Sequence, residues 1–242
     1  MTGTLVNCAA IIAGTLVGLL LKKGVNQRLG DSITKGISLC VLFIGIEGAV
    51  DASASGSNPL VLIVSMALGA LVGYILDLDG RINRLGEKVQ ERFRKKGSGS
   101  PIAEAFVTAT LLYCVGAMAI VGSIQSGIEG NHTTLFTKSL LDAIMAIVFA
   151  SQLGFGVMLS AVPVLIYQGG ITLASGFIAP FMSDVVIAEM SCIGYVLIMG
   201  IGLNLAGITK FKLMNYVPGI IFAALIALGI EQIPSAFAFM YG

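Results

Sequence analysis

Charge is what this sequence has least of. Only 14 basic and 13 acidic residues occur among 242, or 11% of the chain, against roughly 25% in an ordinary soluble domain. Histidine occurs once, as His132, in a polar stretch between two apolar runs. Without a second histidine there is no His-Glu-x-x-His zinc site, and a loop histidine builds no Ser-His or Cys-His pair. The four cysteines, Cys8, Cys40, Cys114 and Cys192, are never close together. They read as small buried hydrophobes, with no disulfide or metal framework. No Gly-Lys dipeptide occurs anywhere, which excludes a Walker A loop and an ATP-driven pump within this chain. No basic residue precedes the first apolar run, so no cleavable signal peptide is expected. A protein that is not an enzyme, holds no cofactor or metal and binds no nucleic acid is the expectation.

What fills the space is apolar. Hydrophobic residues make up 56% of the chain, 31 residues are glycine, and the mean hydropathy is +0.95. No water-soluble core needs that much, so an all-α polytopic membrane protein in contact with lipid is expected. A helix crosses a bilayer with about 20 mostly apolar residues, and the charges mark where such runs end. Residues 1–21 and 52–76 are uncharged, and the run at 34–50 carries only Glu47 in its apolar stretch. Residues 105–128, 190–209 and 213–230 are also uncharged, and nothing is charged between Asp142 and Asp184. That last run is about two spans long, and Pro163 is well placed to start the returning helix. The count is eight transmembrane helices.

Lys and Arg near span ends are retained in the cytoplasm. Lys22, Lys23, Arg28 and Lys35 flank the first loop, seven more lie between Arg81 and Lys96, and Lys210 and Lys212 precede the last span. Eight spans with both termini outside place all of these on the cytoplasmic side and leave only Lys138 outside. Ile82, Leu85, Val89 and Phe93 fall at helical spacing among the basic residues, which describes an amphipathic helix over 79–96 on the membrane surface. It serves either as an orientation signal or as a site for anionic lipid or a partner. Gly97-Ser98-Gly99-Ser100-Pro101 follows as a flexible joint.

The sequence also resembles itself. At a shift of 103, Thr34-Lys35 falls on Thr137-Lys138 and Val61-Leu62-Ile63 on Val164-Leu165-Ile166, with nine identities over positions 33–75. Three spans is an odd number, so a second copy enters the membrane upside down, the plan of many secondary transporters. The organisation expected is a three-helix repeat over 1–78, the basic linker over 79–101, an inverted three-helix repeat over 102–182 and two C-terminal helices over 183–242. The inversion also accounts for Lys138 as the counterpart of Lys35.

Polar groups inside spans are costly and usually face a bundle interior or a water-filled path. Lys138 and Asp142 share one helix face, as an ion pair that eases insertion or as a gate or ion-coupling site. Gln152 lies further along the same helix. Gln168 precedes Gly169-Gly170, a pair that permits a broken helix able to coordinate a solute, or close packing. Asn7, Asn204 and Asn215 are further interior amides, either lining a site or bonding a neighbouring helix. Glu47, Glu104 and Glu189 lie near span ends, where snorkelling to water is easy.

Several stretches are distinctive: Val6-Asn7, the run from Leu112 to Ser123, Thr137-Lys138-Ser139-Leu140-Leu141-Asp142, Tyr167-Gln168-Gly169 and Asn215-x-x-Pro218. Through them the chain resembles, over nearly its whole length, the DUF554 (YdfK/YqgA-like) bacterial inner-membrane proteins of unknown function. The resemblance implies a multi-span helical fold in the bacterial cytoplasmic membrane and leaves the substrate open. Three functions fit the sequence. One is an H⁺- or Na⁺-coupled transporter of a small polar solute, an amino acid or small carboxylate, working by alternating access. The others are a channel on the same scaffold, with non-saturating conductance, and an adaptor acting through the 79–96 helix. Glycine-rich helices also admit a homodimer.

Overall fold

The computed structural model describes residues 1–22, 27–81, 83–84, 102–114, 117–128 and 130–232. Every regular element among the described residues is a helix. That is the open-chain solution available where no water can satisfy backbone groups. Helices α1 (Thr2–Lys22) and α2 (Gln27–Ala54) lead into α3 (Pro59–Ile75). Asn58 caps α3 by accepting from the Leu60 amide at 2.8 Å, and Pro59 occupies its first position. Beyond its last residue, Asp77 sits in the left-handed region at φ 47°. Helices α4 (Ile102–Cys114) and α5 (Ala117–Ile128) follow, bent by 59° relative to each other.

Helix α6 (Thr133–Leu153) ends at Gly154, whose φ of 86° suits glycine. A single turn, α7 (Gly156–Leu159), then leads into α8 (Ala161–Leu173) and the short α9 (Ser175–Ile178). The return expected at Pro163 therefore falls at Gly154. Pro163 lies in the first turn of α8, where its missing N–H costs nothing. Helix α8 also runs unbroken through Gly169 and Gly170, so of the two readings of that pair the broken helix does not occur. Ser183 caps α10 (Asp184–Leu205) by accepting from the Val186 amide at 3.2 Å. A 3₁₀ turn at Leu213–Tyr216 precedes α11 (Pro218–Gln232).

The chain is an all-α membrane protein. Among the described residues, six stretches are long and apolar enough to span, or seven if α4 and α5 form one bent span. That is fewer than the eight expected. The shortfall is α3, clipped by Asn58-Pro59 and Asp77 to 17 residues, about 25 Å of helix against a hydrocarbon core of about 30 Å. The amphipathic helix expected over 79–96 and the joint at 97–101 lie largely outside the described residues. Of that stretch, residues 79–81 and 83–84 are helical.

Two compact units form, and they cut across the sequence blocks: 1–36 groups with 80–178, and 37–79 with 179–242. In the first unit α1 lies along α6. A Cβ at Gly14 or Gly18 would collide with the Ala143 or Ile147 carbonyl oxygen, so these glycines let the two backbones meet. Around them α8 packs on α1 and α5, while α4 packs on α6, α7 and α8. In the second unit α3 packs on α11, and α10 packs on both. Leu42, Gly45 and Gly48 of α2 face Gly202, Met199 and Tyr195 of α10, an antiparallel register. Among the candidate spans α10 is the most deeply buried.

Candidate functional site

Three helices of the first unit bring four polar side chains together. Lys138 and Asp142 are one helical turn apart on α6, and the Lys138 Nζ donates to Asp142 Oδ1 and Oδ2, each at 2.8 Å. Asn7 reaches in from α1 and donates its Nδ2 to Asp142 Oδ2 at 2.9 Å. The same Nδ2 lies 3.3 Å from Gln168 Oε1 on α8. Asn7 and Gln168 are fully buried, and Lys138 and Asp142 are 6% and 5% exposed. The formal charges of the pair cancel, as a buried ion pair in apolar surroundings requires.

The carboxylate orients the amides. It accepts only from a donor, so Asn7 must turn its NH₂ toward Asp142 and its Oδ1 away. Gln168 then presents Oε1 to that same NH₂ and turns Nε2 away. Asn7 Oδ1 and Gln168 Nε2 have no hydrogen-bond partner among the described residues. Among the described residues the centre thus carries one unpaired acceptor and one unpaired donor, and burying both is costly. Thr4, one turn from Asn7, and Tyr113 on α4 add buried hydroxyls that are also without partners there. Tyr113, Cys8 and Cys114 all lie within electrostatic reach of Asp142.

The other residues singled out in the sequence sit elsewhere. Gln152 is half-buried ten positions beyond Asp142 on α6, about 15 Å along the axis, and donates to Ser151 Oγ at 3.2 Å. Gly169 backs onto Met1 and Thr4, whereas Gly170 faces open space. Asn204 and Asn215 belong to the second unit and bind backbone. Asn204 Oδ1 accepts from the Phe211 amide and the Thr209 hydroxyl at 2.9 and 2.8 Å, which staples the turn after α10. Asn215 Oδ1 accepts from the Asp79 amide at 3.0 Å. Of the cysteines, Cys8 and Cys192 are buried but Cys40 is exposed on α2.

One acid departs from its expected setting. Glu47 and Glu104 are exposed, as residues near span ends should be, but Glu189 is 1% exposed. Its Oε1 accepts from the Asn58 amide at 2.7 Å, at the start of α3, which keeps it from snorkelling. Oε2 has no partner among the described residues. Nothing local in the sequence signals this contact, because the two partners are far apart in the chain. Tyr113, by contrast, stands inside one of the distinctive stretches.

Fold and site together define a polytopic α-helical membrane protein with a buried, charge-paired polar centre. The chain belongs to the DUF554 family, described as a protein of unknown function, whose model matches residues 2–228. It is 34% identical over 221 residues to "Uncharacterized membrane protein YdfK" of Bacillus subtilis (strain 168), covering 91% of this chain and 93% of that protein. It is 30% identical over 224 residues to "Uncharacterized protein YqgA" of Escherichia coli (strain K12), covering 91% of this chain and 94% of that one. No solved structure matches significantly.

Proposed function

We propose that the chain is a secondary transporter, not an enzyme, that moves a small polar solute across the bacterial cytoplasmic membrane. The solute class is an amino acid or small carboxylate, the mechanism is alternating access between inverted repeats, and the coupling ion is H⁺ or Na⁺. Both termini lie outside. One observation carries this reading: Asn7, Lys138, Asp142 and Gln168 converge, buried, from three apolar helices. Ionisable groups at such positions are expensive, and well-packed apolar residues would serve structure as well or better. Asp142 carries the coupling ion or proton and Lys138 tunes it. Asn7 Oδ1 and Gln168 Nε2 offer the solute an acceptor and a donor.

Proteoliposomes screened with amino acids and small carboxylates test it. Asp142→Asn keeps the shape of the side chain and removes its charge. The expected result is that an imposed H⁺ or Na⁺ gradient no longer accumulates solute in the variant, while solute exchange persists. Uptake with its ion dependence intact in Asp142→Asn removes the coupling role.

A further inference from the structure

The loop after α10 is held more firmly than a connection between two spans requires. Gly207 (φ 74°) ends α10 in the left-handed region. Its amide donates to the Asn204 carbonyl at 2.9 Å, and the Ile208 amide donates to the Leu203 carbonyl at 3.1 Å. In this glycine-capped helix end, the residue after the glycine commonly packs back onto the helix. Ile208 does not, and is 70% exposed. One amide side chain then fixes the next residues. Asn204 donates its Nδ2 to the Phe211 carbonyl at 2.9 Å and accepts on Oδ1 from the Phe211 amide and the Thr209 hydroxyl. At the far end of the loop, Leu213 is buried over Gly200 of α10.

These bonds leave a fixed set of side chains facing outward. Phe211 is exposed like Ile208, and Lys210 and Lys212, both exposed, flank it. No acid occurs between Glu189 and Glu231, and neither lysine has an ion-pair partner among the described residues. Asp79, whose amide binds Asn215, pairs with neither of them. Two unpaired ammonium groups call for an anion, and two outward hydrophobic side chains call for hydrocarbon. The border of an anionic bilayer offers both together. We propose that this loop clamps the headgroup of an anionic phospholipid, with Lys210 and Lys212 donating to its phosphate oxygens and Ile208 and Phe211 lying along the adjoining acyl chains. Lysines at a span end set orientation without any fixed geometry. The Asn204 staple and the outward Ile208 go beyond that task. The site is independent of the transport reading.

Phosphatidylglycerol and phosphatidylcholine with identical acyl chains are probes that differ in the net charge of the headgroup. The full chain in detergent micelles is offered equal amounts of both, and native mass spectrometry counts which lipid stays bound. Wild type is expected to retain phosphatidylglycerol in preference. Replacing Lys210 and Lys212 by glutamine should lower that preference about fivefold for each lysine. Asn204→Ala keeps both lysines but releases the backbone of Phe211, and should lower it about two- to tenfold. Arg81→Gln removes another exposed cation, outside this loop, and should leave the preference unchanged. A lysine variant as selective as wild type overturns the proposal. So does a loss in Arg81→Gln equal to that of the lysine pair, or full selectivity in Asn204→Ala, because positive charge without a fixed loop would then account for the retention.

Discussion

Asp142 and Glu189 are both acids buried within apolar helices, one in each compact unit, and their surroundings differ sharply. Asp142 accepts two contacts from Lys138 and one from Asn7, all from side chains. Glu189 accepts from a single backbone amide and leaves an oxygen unpaired among the described residues. The first acid is held by an opposite charge and the second by the end of a helix. Removing a charge from water is what each arrangement must offset, and a lysine offsets far more than one amide. Asp142 should therefore depend on its neighbours for stability, whereas Glu189 should depend mainly on keeping one acceptor in place.

The largest expected effect comes from breaking the pair. Lys138→Met leaves Asp142 buried without its cation and should cost about 3–5 kcal/mol, measured by reversible unfolding in mixed micelles. Adding Asp142→Leu removes the orphaned charge and should restore most of that loss, because an apolar pair of similar volume suits the site. A single variant as stable as wild type would show that Asp142 does not rely on Lys138.

A smaller effect separates the two amides. Asn7 donates to a carboxylate, so Asn7→Ala should cost about 1.5–3 kcal/mol, whereas Gln168→Ala loses only a longer contact between neutral groups, about 0.5–1.5 kcal/mol. Equal costs in the same unfolding assay would mean that Asp142 does not orient Asn7. The double variant should cost less than the sum, since both residues act through one Nδ2.

This centre was partly legible in the sequence, for a physical reason. Lys138 and Asp142 announce themselves by helical spacing, and polar residues stand out in apolar runs, so Asn7 and Gln168 were identifiable one by one. Their convergence was not, because it depends on Gly14 and Gly18 bringing α1 against α6. The same logic that selected Asn7 also selected Asn204 and Asn215, which bind backbone instead. An amide in a span shows that a polar partner exists and not which one. Run lengths revealed most of the spans, yet α3 proved short because a cap and a left-handed Asp77 bound it. Glu189 lies near a helix end, yet that place gives it no access to water, because the start of α3 covers it.

The smallest effect tests the Glu189 side of the comparison. Glu189→Gln retains an oxygen to accept from the Asn58 amide, so its cost should stay within about 1 kcal/mol. Glu189→Ala leaves that part-buried amide without this acceptor and should cost about 1–3 kcal/mol. The order of the two variants distinguishes the causes. If the glutamine is nearly neutral, the acceptor is what α3 needs and the charge is spare. If glutamine costs as much as alanine, the negative charge itself steadies the start of α3, through the partial positive charge of its free amides. Glu189 would then be tied to its position by charge as firmly as Asp142 is, and the contrast between the two acids would disappear.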